Sequence, residues 1–198
     1  MTGTSRYACP MRCIICPATT SARIPLCNAC IKDLPWHHHP HIGFYYKPPI
    51  DHWITQLKFH YRLHYGQLLG ALLTRKWLKV ANAVDLIMPI PLSRRRLFQR
   101  GFNQSSILCR NISQRTGIPI HQKHLKRLRH TQRQTSLNEY QRTQNLKHAF
   151  YCKPFHSPCH IALVDDVITT GSTIQAAQAA IPSTCAITVW ACAKSTSH

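Results

Sequence analysis

Two acidic residues stand side by side in a chain that has few carboxylates. The sequence contains 6 Asp+Glu against 25 Lys+Arg, and Asp165 and Asp166 directly follow an apolar run at residues 161–164. Adjacent carboxylates repel each other unless a cation or a hydroxyl-rich group is held between them. The apolar run predicts a buried strand, and open parallel sheets bind ligands at the carboxyl ends of their strands. The pair therefore predicts a binding site at the end of that strand.

A polar turn comes shortly after the acidic pair. It holds four hydroxyls and a glycine, in the order Thr169, Thr170, Gly171, Ser172, Thr173, ahead of a helix predicted over residues 174–181. The glycine permits close approach to the backbone, and the free N–H groups of a helix amino terminus bind phosphate. A ligand held by both features should carry hydroxyls close to a phosphate, as a ribose 5-phosphate does. The alternative, a helix N-cap beside a surface acid, accounts for Thr169 alone.

Four cysteines near the amino terminus have the spacing of a zinc site. Cys13 and Cys16 form one pair and Cys27 and Cys30 the other, with two residues inside each pair and ten between the pairs. Four thiolates complete the tetrahedral shell of a structural Zn²⁺ ion, and metal binding would supply folding free energy to a segment with few large apolar side chains. The alternative is a set of scattered free thiols. Cys9 is either another ligand or a free thiol.

The composition is that of a globular and strongly basic protein. The content of 44% hydrophobic and 16% charged residues excludes disorder of the whole chain, and the formal net charge of +19 attracts polyanions. No apolar run approaches the roughly 20 residues that a membrane-spanning helix needs. The amino terminus lacks the apolar core of an export signal, which predicts a cytoplasmic location with reduced cysteines.

Strands and helices are predicted to alternate around these residues. We expect an amphipathic helix within residues 54–80, a strand at 84–89, a helix from its N-cap Asn103 to Gln114, and a last strand at 185–192. Residues 92–102 are predicted to be a basic loop with two aromatics. This alternation predicts an α/β fold with a parallel sheet.

Two domains are expected, a zinc finger with a linker at residues 1–40 and an α/β domain at residues 41–198. The histidines between His37 and His41 lie in the linker and are predicted to be solvated, with metal binding as the alternative. Residues 121–148 show no sustained hydrophobic period, which indicates a mobile excursion or a short hairpin.

Basic and aromatic residues alternate in two parts of the chain, as they do in proteins that bind single-stranded nucleic acid. The candidate basic residues are Lys58, Arg62, Arg94, Arg95, Arg96 and Arg100, and the aromatics among them are Tyr61, Tyr65, Trp77, Phe98 and Phe102. For each arginine the alternative is a solvated positive face, and for the aromatics, Trp77 above all, it is core packing.

Residues 161–173, Ile-Ala-Leu-Val-Asp-Asp-Val-Ile-Thr-Thr-Gly-Ser-Thr, resemble the phosphoribosyl-pyrophosphate (PRPP) signature of type I phosphoribosyltransferases. Further motifs are similar to those of the ComF family of competence proteins, and the resemblance covers nearly the full chain. These motifs are the four cysteines, Pro89-Ile90-Pro91-Leu92 followed by Arg96 and by Arg100-Gly101-Phe102-Asn103-Gln104, and residues 131–150 with Gln134, Leu137, Arg142, Asn145 and Phe150.

The resemblance implies a type I phosphoribosyltransferase-like domain preceded by a small zinc finger. It implies that Asp165 and Asp166 engage the ribose hydroxyls of PRPP and that residues 169–173 engage its 5-phosphate. Pyrophosphate would be bound by Pro89, Ile90, Pro91, Arg96 and Arg100, with residues 121–150 as a hood and flexible loop. Mg²⁺ would arrive with PRPP, held chiefly by pyrophosphate and ribose oxygens. No residue is identified as a general base, so the catalytic residues stay unassigned.

The function expected from charge and resemblance is the handling of incoming single-stranded DNA in natural transformation. The expected partners are single-stranded DNA, PRPP or a ribose phosphate, and the channel and helicase proteins of DNA uptake. One alternative is a metabolic phosphoribosyltransferase that acts on a small nitrogenous acceptor. Another is a zinc-ribbon regulator of transcription, in which the α/β domain senses a ligand.

Overall fold

The computed structural model describes residues 11–20, 24–81, 83–128 and 149–195, and the chain divides into two units, Met1–Leu34 and Pro35–His198. Several predictions concern residues outside the described ranges. They are those on Cys9, Gln134, Leu137, Arg142 and Asn145.

The first unit is built from three short elements. Strands β1 (Met11–Arg12) and β2 (Thr19–Thr20) pair in antiparallel fashion, and helix α1 (Asn28–Lys32) follows. The Cys27 side chain caps α1, because its Sγ accepts a hydrogen bond from the Cys30 N–H at 3.5 Å. Within residues 11–20 and 24–34 of this unit, the buried large aliphatic side chains are those of Ile24, Leu26, Ile31 and Leu34.

The second unit contains all the other elements. In chain order they are β3 (Ile42–Tyr45), α2 (Ile50–His60), α3 (Leu63–Ala81), β4 (Leu86–Pro89), α4 (Arg94–Arg100), α5 (Gln104–Thr116), β5 (Leu125–Arg127), β6 (Phe150–Cys152), β7 (His160–Ile168), α6 (Ser172–Ala179) and β8 (Ala186–Lys194). Four of the strands form a wholly parallel sheet in the order β3-β8-β7-β4. This sheet and the cysteine cluster confirm the predicted fold class.

Two differences from the sequence-based elements lie close to the acidic pair. The strand expected at residues 161–164 continues to Ile168, because β8 runs alongside and pairs Asp165 with Ala191 and Val167 with Ala193. The expected basic loop contains a helix, α4, which begins at the N-cap Ser93 and ends at Gly101, whose φ is +67°. The Asn103 N-cap of α5 is confirmed, since its side chain accepts from the Ser105 N–H.

The helix expected within residues 54–80 is two helices. The break falls at Tyr61, which adopts a left-handed conformation with φ 56°. The second of them, α3, buries Leu68, Leu69, Leu72 and Leu73.

Helix α3 holds α5 close through two glycines spaced one turn apart. A Cβ on Gly70 would lie 2.5 Å from the Asn111 Cβ, and one on Gly66 would lie 2.8 Å from Ile107 Cγ2. The absence of side chains at these positions lets the two helices approach. Helix α5 also packs against β4 and β7, so this contact sets the position of Ser105 at its first turn.

A second core lies where β4 and β7 meet α6 and the antiparallel β5–β6 pair. Its buried side chains include Met88, Leu125, Phe150, Leu163 and Ile174. Strands β5 and β6 flank residues 129–148, and Leu125 pairs with Cys152. The described start of the segment predicted as an excursion or hairpin therefore contains a strand, and its partner β6 comes just after the segment.

The histidine segment lies within the second unit and is solvated only in part: His37 is buried and His41 half-buried, whereas His38 and His39 are exposed, as predicted. Trp36 forms a β-bridge with Phe44. The Lys76 ammonium donates to the backbone carbonyls of His37, Ile42 and Gly43. Among all the residues that the structure describes, we find no helix with the length and apolar character needed to cross a membrane.

Candidate functional site

The acidic pair lies on β7 just past the point where its pairing with β4 ends. The last residues to pair between the two strands are Pro89 and Val164, after which the Ile90 N–H donates to the Val164 carbonyl at 2.9 Å. Beyond that point β7 remains paired with β8 along one edge, while its other edge is no longer paired with β4. Asp165 and Asp166 therefore lie at the carboxyl end of β4, the place where open parallel sheets bind ligands.

Asp165 is surrounded by hydrogen-bond donors. Its Oδ1 accepts from the Ser105 hydroxyl at 3.3 Å and from the Asp166 N–H at 2.9 Å. Burial and the negative charge of Asp166 raise the pKa of Asp165 to about 8. At neutral pH this carboxyl group is therefore mainly protonated and can itself donate a hydrogen bond.

Asp166 has a cationic partner. Lys58 Nζ, from the last turn of α2, lies 2.6 Å from Asp166 Oδ2, and Asp166 is 6% exposed. The other oxygen, Oδ1, accepts from the Val167 N–H at 2.8 Å. Lys58, expected to contact nucleic acid, thus has its ammonium directed at the acidic pair.

The polar turn leaves the amino terminus of α6 open. Gly171 is the N-cap, with φ 80° and no side-chain hydrogen bond to the first turn. Thr169 and Thr170 are exposed, and the Thr170 and Ser172 hydroxyls lie 3.1 Å apart. A positive φ at the cap favours glycine, and an uncapped helix start retains free N–H groups for an anion.

The residues expected to bind pyrophosphate differ in what they can offer. Pro89 and Pro91 have no N–H, and Ile90 uses its N–H on Val164 and its carbonyl to accept from Asn103 Nδ2 at 2.9 Å. Residues 89–91 consequently have no free amide to donate to an anion. The arginine side chains nearby are donors that an anion could use.

Two arginines interact electrostatically with the acidic pair, and a third, Arg96, interacts with both of them. Arg100 donates from Nη1 to Gln104 Oε1 at 3.2 Å, and burial lowers its pKa while the charge of Asp166 opposes that shift. Burial likewise lowers the pKa of Arg127, whose charge interacts with Asp165. Arg96 lies close enough to lower both pKa values further. We call Arg96, Arg100 and Arg127 the arginine cluster.

Sequence reasoning missed three residues of this site: Lys58 as the partner of Asp166, Ser105 and Arg127. Ser105 follows the Asn103 cap that was recognised, but its position in sequence carries no signal for a contact with Asp165. Arg127 lies in the segment without hydrophobic period, where its strand could not be predicted.

An exposed surface of aromatic and basic side chains lies at the end of α2 and on α4. Phe98 is 92% exposed, Phe59 60% and Tyr61 57%, and Arg62, Arg94 and Arg95 are also exposed. The Tyr61 hydroxyl donates to the Gln99 carbonyl at 2.7 Å, and Arg100 lies 5.0 Å from the Phe59 ring centroid, so the two helices are joined. We call this set the aromatic–basic surface; its members are Phe59, Tyr61, Arg62, Arg94, Arg95 and Phe98.

Two of the aromatics expected on that surface are packed instead. Trp77 is fully buried against Trp190, with ring centroids 5.0 Å apart. Tyr65 is half-buried and stacks on Trp53. Core packing explains Trp77, as the alternative interpretation held.

The four cysteines of the first unit meet at one point. Their Sγ atoms all lie within 4.8 Å of one another, with Cys16 and Cys27 at 3.6 Å. Burial raises the pKa of Cys13, but hydrogen bonds from the backbone of Cys27, Ile15 and Cys16 outweigh it and lower the pKa to about 6. The cluster could therefore hold a metal ion, and four sulfurs with no open position suit a structural one.

The second unit is thus a parallel α/β domain with a candidate site at the carboxyl end of β4, and the first contains a four-cysteine cluster. No family model matches the chain. Among curated proteins, DNA utilization protein YhgH of Escherichia coli (strain K12) is 36% identical over 179 residues, 87% of this chain and 77% of that protein.

Two further curated relatives also match most of the chain. YhgH of Salmonella typhi is 31% identical over 182 residues, 82% of this chain and 80% of that protein. Competence protein F of Haemophilus influenzae is 36% identical over 160 residues, 75% and 68% of the two chains. The chain belongs to the ComF family of competence proteins.

Proposed function

We propose that the protein handles incoming single-stranded DNA in natural transformation and that its α/β domain binds PRPP or a ribose phosphate. The relatives named DNA utilization protein and Competence protein F support a role in DNA uptake. The observation that carries the proposal is the aromatic–basic surface, with Phe98 92% exposed next to Arg94 and Arg95.

Exposed aromatics of this size are unusual without a partner. Burying a large apolar side chain contributes about 1.5–3 kcal/mol, which Phe98 forgoes in the folded chain. Stacking of a base on such a ring contributes about 1–3 kcal/mol and tolerates any sequence, because every base has a π-face. The arginines beside it suit the phosphates between the stacked bases. A single strand satisfies both groups, whereas paired bases in a duplex are already stacked.

The site at the end of β7 suits a ribose phosphate. We assign the ribose hydroxyls to Asp165 and Asp166 and the 5-phosphate to the turn at residues 169–173 with the open α6 terminus. The diphosphate of PRPP is assigned to Arg96 and Arg100, and the ion that accompanies it, Mg²⁺, to the ligand's own oxygens. The same chemistry suits the transfer of a phosphoribosyl group to a nitrogenous acceptor, but no described residue is placed as a general base, so binding is what we propose.

The cysteine cluster is assigned a structural Zn²⁺ ion on Cys13, Cys16, Cys27 and Cys30. The protein would act in the cytoplasm, where the channel and helicase proteins of uptake would be its neighbours.

Removal of two surface arginines tests the proposed DNA interface. We expect Arg94→Ala/Arg95→Ala to weaken binding of a labelled single-stranded oligonucleotide and to reduce the slope of log K against log salt by about 1.4, because about 0.7 is lost per phosphate contact. Phe98→Ala should weaken binding roughly 5- to 150-fold without changing that slope. Fluorescence anisotropy at several salt concentrations measures both quantities.

The control removes the same charge elsewhere. Arg110 and Arg115 are exposed on α5 and are not members of the aromatic–basic surface, so Arg110→Ala/Arg115→Ala should leave the affinity within about twofold and the slope nearly unchanged. Equal losses from the two double variants would show that only the overall charge matters and would remove the surface from the interface. Equal affinity for a duplex of the same length would contradict the preference for single strands.

A further inference from the structure

The acidic pair of the proposed ribose site already has a cation. Lys58 Nζ lies 2.6 Å from Asp166 Oδ2, and the two side chains are 18% and 9% exposed. A contact this short between partly buried charges is an ion pair with little room for a hydrated ion between them. The position beside Asp166 that a metal would take is the one that the ammonium holds.

The surroundings do not supply a set of metal ligands. Mg²⁺ requires octahedral oxygen coordination and is usually held by one or two carboxylates together with substrate phosphates. Among the described residues, the four cysteines are the one group of three or more His, Cys, Asp or Glu side chains that could hold an ion. Another described acid, Asp85, accepts from the His160 N–H at the opposite end of β7.

The local charge also opposes a divalent ion. The charges of Arg100 and Arg127 interact with Asp166 and Asp165 respectively. The raised pKa of Asp165, about 8, weakens the attraction of that carboxyl group for a cation, and Asp166 already has Lys58 as its partner. A further double positive charge would be repelled by these groups.

We propose that Lys58 is the resident counter-ion of the acidic pair, that it excludes a divalent cation from Asp165 and Asp166, and that a ribose monophosphate binds there without Mg²⁺. A divalent ion is then needed only for the diphosphate of PRPP. The part that concerns the sugar rests on the proposed function; the exclusion of the cation does not.

Binding of Mn²⁺ alone tests the exclusion. In a titration followed by the electron paramagnetic resonance of free Mn²⁺, the zinc-loaded wild-type protein should show no site that depends on Asp166. Lys58→Met should gain one Mn²⁺ site, and Asp166→Asn in that background should lose it again. Lys58→Arg, which keeps the charge, should gain none, and Lys79→Met, which removes a charge from the exposed part of α3, should behave as wild type.

The sugar part is tested by calorimetric titration with ribose 5-phosphate in EDTA and in Mg²⁺. Wild type and Lys79→Met should bind with the same Kd, within twofold, in both conditions. Lys58→Met should bind at least tenfold more weakly in EDTA and recover when Mg²⁺ is added.

Three results decide the matter. A wild-type Mn²⁺ site that Asp166→Asn removes overturns the counter-ion role. Wild-type binding of the sugar phosphate that requires Mg²⁺ overturns its metal independence. Absence of sugar-phosphate binding in both conditions overturns the proposed ribose site, while the Mn²⁺ titration still decides the role of Lys58.

Discussion

At the scale of single residues, Asp165 combines an ionisable group with a site that disfavours its charge. Burial and the neighbouring carboxylate of Asp166 raise its pKa to about 8, and Ser105 donates to it. A carboxyl group that is protonated near neutral pH can both donate to and accept from a sugar hydroxyl. The two acids therefore have different surroundings, Ser105 at Asp165 and Lys58 at Asp166, although the sequence shows two identical residues.

The raised pKa of Asp165 predicts a pH-dependent stability. Between about pH 4 and pH 8 the folded chain keeps a proton that the unfolded chain has lost, so stability falls as pH rises through this window. Asp165→Asn has no proton to lose and should gain Tm relative to wild type on going from pH 5 to pH 8. Thermal denaturation at four pH values between these limits measures the difference.

The control is Gln114→Ala on the exposed face of α5, which removes a side chain that does not titrate, so the difference in Tm from wild type should stay nearly constant. A difference for Asp165→Asn that is independent of pH would contradict the pKa assigned to this residue.

At the scale of elements, a helix could be predicted from the sequence where its apolar residues recur with the helical period, and not where they do not. Helix α5 was predicted with its cap because Asn103 precedes an apolar face formed by Leu108 and Ile112, both buried. Helix α4 was missed because it has seven residues and buries none of them. Its ends, Ser93 and Gly101, are nevertheless residues that favour a helix start and a helix end, and this signal was available.

The close contact between α3 and α5 requires a residue without a Cβ at Gly70, and this requirement can be tested. Alanine at this position would gain about 1 kcal/mol of helix propensity, but its Cβ would lie 2.5 Å from the Asn111 Cβ, and overpacking costs about 1–3 kcal/mol. We expect Gly70→Ala to lower the free energy of unfolding, measured in urea.

A double-mutant cycle isolates the clash. Asn111→Gly removes the opposing Cβ, so Gly70→Ala should be less harmful in that background, with a coupling of about 1 kcal/mol. Additive effects of the two substitutions would show that the cost at Gly70 does not come from this contact.

At the scale of the whole molecule, the two units are stabilised in different ways. The second has a parallel sheet whose strand β7 buries residues 161–164 completely. In the described part of the first unit, few aliphatic side chains are buried around the four cysteines, too few for a stable core of their own. Cysteine spacing predicted the cluster, because two residues between the cysteines of a pair allow both thiols to bind the same metal ion. The second unit's site could be predicted only in its sequence-local part, since Lys58 and Arg127 reach it through the tertiary fold.

Removal of metal should therefore unfold one unit and spare the other. Chelation, or Cys16→Ser/Cys27→Ser, is expected to abolish amide protection at residues 11–34 and to leave it intact in β7 and β8, as measured by hydrogen exchange. Zinc content should fall from one ion per chain to none.

Cys159→Ser is the control, since it removes a partly buried thiol outside the cluster and should keep the zinc. Protection at residues 11–34 that survives complete loss of metal would contradict a structural role for the ion.

The order of strands has a consequence for biosynthesis. In the sheet, β3 has β8 as its neighbour, and the pairs Ile42 with Ala191 and Phe44 with Ala193 join residues separated by almost the entire second unit. While the ribosome is still translating the intervening codons, Phe44 has no strand on which to pack, and its fully buried ring must remain accessible or be shielded by another protein. The pairing of β3 with β8 is thus a late event in synthesis. A nascent chain interrupted before residue 186 would leave β3 without its neighbouring strand and prone to aggregation.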